Sequence, residues 1–128
     1  LAVGLNQPHS LILESGKLYW AESNTIRSMS TSGGQITTIA ENVSAKTMVK
    51  DSTHIYISEA VDNLYGWHYI SRVNIITGEI EVLTMGKAHS SYSGVYSIVV
   101  DDTNVYWLIG GNHYYPPMGQ LRKCAKSY

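Results

Sequence analysis

Apolar and polar residues alternate along this chain in short runs, cut by clusters of Ser, Thr, Asn, Asp and Gly. A period of two, β-branched residues and closely spaced turn signals together predict β-strands. The first is Ser10-Leu11-Ile12-Leu13, ended by Glu14-Ser15-Gly16. Leu18–Ala21, Thr25–Met29 and Gln35–Ala40 follow, the last two separated by Thr31-Ser32-Gly33-Gly34. The series restarts with Thr47–Lys50, His54–Ser58, Tyr69–Asn74 and Glu79–Leu83, and again with Tyr96–Val100, Val105–Leu108 and Gln120–Cys124. No segment has a convincing helical period, so the predicted class is all-β.

The restarts are marked by one recurring stretch. Glu14-Ser15-Gly16-Lys17-Leu18-Tyr19-Trp20 returns as Asp51-Ser52-Thr53-His54-Ile55-Tyr56-Ile57 and as Asp101-Asp102-Thr103-Asn104-Val105-Tyr106-Trp107. Each is an acid, a turn, an aliphatic residue, Tyr, and then Trp or Ile. Tandem four-stranded antiparallel units of roughly 40 residues are the pattern of β-propeller blades. The units run approximately over residues 10–40, 47–84 and 96–128. The third is one strand short, and aligning Glu14 with Asp51 sets Leu1-Ala2-Val3 against Thr38-Ile39-Ala40, the end of a fourth strand. The Tyr-Trp strand with its acidic turns resembles the YWTD and NHL-like propeller families. Tyr19-Trp20-Ala21-Glu22 keeps the Tyr-Trp and an acid, whereas Tyr106-Trp107-Leu108-Ile109 lacks the acid and Tyr56-Ile57-Ser58-Glu59 lacks the Trp. The resemblance implies a propeller fold and a secreted or periplasmic setting.

Three blades are an open arc. Leu18, Trp20, Ile55, Ile57, Val105 and Trp107 give the blades apolar faces, and uncovered faces of that kind favour association. The expectation is a head-to-tail homodimer closing a six-bladed ring, in which residues 1–5 complete the third blade of the partner. The alternative is one longer polypeptide carrying further blades.

Composition narrows the partners. Nine Lys plus Arg stand against ten Asp plus Glu, which gives no electrostatic reason to expect nucleic acid or an anionic membrane surface. No apolar run approaches the ~18 residues of a spanning helix, so no membrane insertion is expected. With Cys124 the only cysteine, no internal disulfide can form. There are ten Tyr and three Trp but no Phe, so every aromatic ring except those of His carries a polar handle on a large apolar body.

Many of those rings fall where the repeat is broken. Tyr19 to Arg27 spans eight positions, whereas Tyr56 to Arg72 and Tyr106 to Arg122 each span sixteen. The added residues are 61–68 and 110–117, and a third lengthening covers 85–94. In an up-and-down blade these connections emerge on one side, and loops on a rigid scaffold are where binding usually resides. That face gathers Tyr65, Trp67, His68, Tyr69, His89, Tyr92, His113, Tyr114 and Tyr115. It suits a non-enzymatic module recognising a glycan, a peptide or a protein. The competing role for the same rings is packing of their own loops.

Other chemistry is thinly represented. The histidines have no metal-ligand spacing, and no metal or cofactor is expected. Asp51, Asp101 and Asp102 read as turn caps, and Arg27, Arg72 and Arg122 as contacts between blades or at turns. A hydrolase or lyase acting at a central channel would draw on Lys50, the one channel-side candidate. A structural segment of a larger receptor-like protein is the third reading.

Overall fold

A computed structural model describes residues 1–62, 67–87, 94–110 and 119–127. Its eleven strands are all antiparallel and form three meander sheets. Sheet 1 comprises β1 (His9–Glu14), β2 (Lys17–Glu22), β3 (Thr25–Ser30) and β4 (Thr37–Glu41). Sheet 2 comprises β5 (Ala45–Lys50), β6 (His54–Asp62), β7 (Trp67–Asn74) and β8 (Ile80–Lys87). Sheet 3 comprises β9 (Val95–Val100), β10 (Asn104–Gly110) and β11 (Gly119–Ala125). No helix occurs among the described residues.

The turns explain why the strands begin where they do. Ser15 and Gly16 both adopt positive φ between the paired residues Glu14 and Lys17, the geometry that a tight two-residue hairpin needs. At the two later turns an aspartate does the work. Asp51 Oδ1 accepts hydrogen bonds from the backbone N–H of Thr53 and His54, both at 2.9 Å. Asp101 Oδ1 repeats this with Thr103 at 2.8 Å and Asn104 at 2.7 Å. The other oxygen of each carboxylate accepts from the tyrosine hydroxyl five residues on, Tyr56 at 2.9 Å and Tyr106 at 2.7 Å. In the second and third repeats the acid and Tyr are thus one hydrogen-bonded fork, whereas Glu14 of the first pairs with Lys50.

Alternation then sorts the side chains into seams. Tyr19, Ala21, Ile26 and Ala40 of sheet 1 pack with Ile55, Ile57 and Val73 of sheet 2. Tyr56, Ile70 and Leu83 on the opposite face of sheet 2 pack with Ile98, Val105, Trp107 and Ile109 of sheet 3. Sheet 2 therefore lies between the other two. In both seams the motif Tyr faces the following sheet, and the residue after it faces the preceding one. Cys124 borders the second seam, where burial pushes its thiol pKa up.

The first strands of sheets 1 and 2, β1 and β5, run side by side in the same direction. His9 Nε2 lies 2.7 Å from Ala45 O, Ser10 Oγ donates to Lys46 O at 3.2 Å, and Lys50 pairs with Glu14. Lys50, the channel-side candidate of the sequence, is accordingly engaged within the seam. Its side chain is 3% exposed, with Nζ 5.2 Å from the Tyr19 ring centroid. Lys50 shares its face with Met48, which also packs against the first seam; what alternation does not show is that an acid and a ring of sheet 1 receive the ammonium.

Register also corrects the arginine repeat. Arg27 pairs with Trp20 and Arg122 with Trp107, but Arg72 pairs with Tyr56. An irregularity between Ala60 and Asp62 displaces β7 by one residue relative to the other third strands. Arg72 Nη1 donates to Lys126 O across the second seam at 2.8 Å, and Arg122 Nη2 reaches Lys87 O at 3.4 Å. Their side-chain partners are Glu81 and Gln120, and that of Arg27 is Glu22.

Candidate functional site

In a meander, the second-to-third turn and the exit of the fourth strand lie at the same end of the sheet. At this end sheet 2 outgrows sheet 1. With Tyr56 equated to Tyr19, Glu59 corresponds to Glu22, where β2 gives way to the Ser23-Asn24 turn; β6 continues to Asp62 and β7 starts at Trp67. The added stretch 61–68 is therefore partly an extension of a hairpin rather than wholly a loop. β8 lengthens with it to Lys87, past the predicted end at Leu83, because the longer β7 offers Trp67, His68 and Tyr69 as partners for Lys87, Gly86 and Met85.

Side chains on the extension alternate between two environments. Trp67 and Tyr69, both half-buried, share the face directed toward sheet 1 with Met85 and Lys87. Glu59 pairs with Tyr69, and its Oε1 accepts from Ser71 Oγ at 3.0 Å. Lys87 Nζ lies 5.9 Å from the Trp67 ring centroid, within cation–π range. Two partly open aromatic faces thus stand beside a carboxylate and an ammonium group. Such a platform can stack an apolar face of a polar ligand while the charged groups hydrogen-bond its hydroxyls or amides.

His68 belongs to the other environment. It is 4% exposed and sits edge-on to Trp107, ring centroids 6.4 Å apart, in the seam between sheets 2 and 3. Space there is tight: a Cβ on Gly86 would lie 2.7 Å from Arg122 Nη1 and 2.8 Å from His68 Cε1 and Nε2. Only glycine lets the imidazole and guanidinium approach the backbone this closely. His68 thereby joins two sheets instead of offering an accessible ring.

Of the nine aromatic and histidine positions singled out from the sequence, Trp67, His68 and Tyr69 are described, and the structure separates His68 from the other two. Tyr65, His89, Tyr92, His113, Tyr114 and Tyr115 lie outside the described residues. Glu59, Met85 and Lys87 did not stand out in the sequence. The signal was there for Glu59, which continues the alternation Ile55, Ile57, Glu59 beyond the end of the shorter hairpin. Among the described residues no group of three or more His, Cys, Asp or Glu side chains is placed to hold a metal ion. No protein-family model matches the chain, and no curated protein matches it.

Proposed function

We propose that the three sheets are blades of a β-propeller of the YWTD or NHL-like kind, closed into a six-bladed ring by a second copy placed head to tail. On this reading the assembly is a non-enzymatic binding module, and its ligand is a glycan, with a peptide or protein segment as the competing ligand. The observation that carries it is the extended β6–β7–β8 end, where Trp67 and Tyr69 keep open surface beside Glu59 and Lys87. Tyr65, His89, Tyr92, His113, Tyr114 and Tyr115, which lie outside the described residues, remain the further candidates offered by the sequence. Metal and cofactor have no part in this binding, and the secreted or periplasmic setting implied by the resemblance suits such ligands.

A hydrolase or lyase at a central channel has no observation in its favour, since Lys50 is engaged by Glu14 and Tyr19. The structural-segment reading likewise gains nothing specific. Glycan and peptide arrays probed with the purified chain test the proposal. Trp67→Ala and Tyr69→Ala should each weaken a glycan hit by at least about tenfold, as loss of a central aromatic contact does, with the thermal midpoint little changed. Unaltered binding by both variants would overturn it, and hits confined to peptides would replace the ligand class.

A further inference from the structure

The two outer faces of the molecule repeat the two halves of a seam already formed inside it. On sheet 3 the face turned away from sheet 2 carries Tyr106, Val99, Leu108 and Leu121, which line a shallow apolar hollow. Leu121 pairs with Leu108 as Ile26 pairs with Ala21 and Ile70 with Ser58. Leu121 is 72% exposed, whereas Ile26 and Ile70 are both 0% exposed. This is the face that covers the next sheet in both internal seams, and here, among the described residues, it covers no further sheet.

Sheet 1 presents the opposite half. Its outer face carries Leu11, Leu18, Trp20 and Met29 around a cavity of 350 Å³. Trp20 pairs with Arg27 as Trp107 pairs with Arg122, and the Trp107–Arg122 face is the one by which sheet 3 sits on sheet 2. The N-terminal segment already lies where a preceding sheet would end. Leu1 approaches Gly33 at the β3–β4 turn, and the backbone of Ile39, near the end of β4, approaches Gly78 at the corresponding β7–β8 turn. Asn6 N donates to Glu22 Oε2 at 3.1 Å and anchors the segment there. Relative to sheet 1, Leu1 therefore holds the place that the end of β4 holds relative to sheet 2. The rest of the covering face, the part that Tyr19, Ala21 and Ile26 supply for sheet 2, is what the cavity lacks.

We propose that the outer face of sheet 3 docks on the outer face of sheet 1 of a second copy, its Tyr106, Leu108 and Leu121 filling the cavity beside Trp20. The partner is a second copy because each face matches a face already seated against this same chain. The contact is head to tail, and in the six-bladed ring proposed above two copies use it twice and the assembly closes. One element of the second internal seam is absent from it. Lys126 supplies an ammonium to Asp51, 2.8 Å from Oδ2, and the position equivalent to Lys126 on sheet 1 is Thr31. Both donate their backbone N–H across the hairpin, to Thr103 O and Gly16 O respectively. The inter-copy seam is therefore mainly apolar and lacks this ion pair.

This rests on the ring reading but can fail separately from it. Light scattering on the 128-residue chain should give twice the chain mass. Leu121→Asp and Leu11→Asp alter exposed positions on opposite faces, so circular dichroism should stay native while each variant's self-association weakens by more than about tenfold. An equimolar mixture of the two should regain dimers, because the unaltered sheet 3 face of one meets the unaltered sheet 1 face of the other. Thr31→Lys should tighten the dimer about threefold or more, by offering Asp101 of the partner the missing cation. A single-chain mass for the unmodified protein overturns the ring and the interface together. A dimer that survives both Asp substitutions, or variants that fail to rescue each other, overturns this interface and leaves the ring reading to other contacts.

Discussion

Asp51 with Tyr56 and Asp101 with Tyr106 are the same fork in two settings. Each carboxylate caps its turn through Oδ1 and takes the tyrosine hydroxyl on Oδ2. Around Asp51 a third sheet has closed. Lys126 Nζ bonds Oδ2 at 2.8 Å and lies 5.1 Å from the Tyr56 ring centroid. Burial alone would push the Asp51 carboxyl up, but the bonds from Lys126, Thr53, His54 and Tyr56 outweigh it and hold its pKa far below the usual carboxylate range. At Asp101 the Tyr106 hydroxyl and the two backbone donors bring the pKa to about 2 without such burial. Local sequence therefore sets the geometry of the fork, and the neighbouring sheet sets how much the fork matters to stability.

The largest expected contrast lies beside these forks, at one strand position. Ile70→Ala removes a fully buried side chain from the second seam and should cost about 3 kcal/mol. Leu121→Ala, at the equivalent exposed position, should cost less than about 0.5 kcal/mol in dilute solution. Urea unfolding of both variants tests this, and equal losses would mean that sheet 3 is covered.

The forks come next. Asp51→Ala strips acceptors from Lys126, Tyr56 and two backbone N–H groups, and should cost about 2 kcal/mol. Asp101→Ala, read by the same denaturant titration, should cost clearly less, because water replaces the lost bonds.

Acid sensitivity gives a finer contrast. An ordinary aspartate titrates near 3.8, and Asp51 does so well below that when folded. Its stabilising contribution is complete well above that value and is lost as pH falls through it toward the lower folded pKa. Asp51→Asn should flatten the acid limb of stability against pH more than Asp101→Asn does. Identical acid limbs for the two variants would show that Lys126 adds nothing to the fork.

The smallest effect belongs to Tyr106→Phe, which removes one exposed hydroxyl bond and should shift the thermal midpoint less than Tyr56→Phe. The reverse order would place Tyr106 in a covered environment.

Much of the architecture was legible because turns and alternation are local. The turn residues Ser15-Gly16, Asp51 and Asp101 mark where hairpins close, and period-two alternation marks the strands that follow. What escaped were relations between distant segments. The one-residue displacement at Ala60–Asp62 put Arg72 on the opposite face from Arg27 and Arg122, which equal spacing from Tyr to Arg concealed. Lys50 read as a channel-side candidate because nothing local shows that β1 brings Glu14 beside it. At the candidate site, Trp67 and Tyr69 were found by their chemistry, but only pairing shows that His68 between them points into a seam. Glu59 and Lys87 become site residues through the length of β8, which depends on the length of β7.

Every sheet pairs strands that are neighbours in sequence, and this bears on how the chain folds. Hairpin closure over short loops is fast and needs no contact between sheets. Each meander can form first, with the seams annealing afterwards. Sheet 2, sealed on both faces, should hold its amide protons longest under hydrogen exchange. The outer strands β4 and β11 should open earliest.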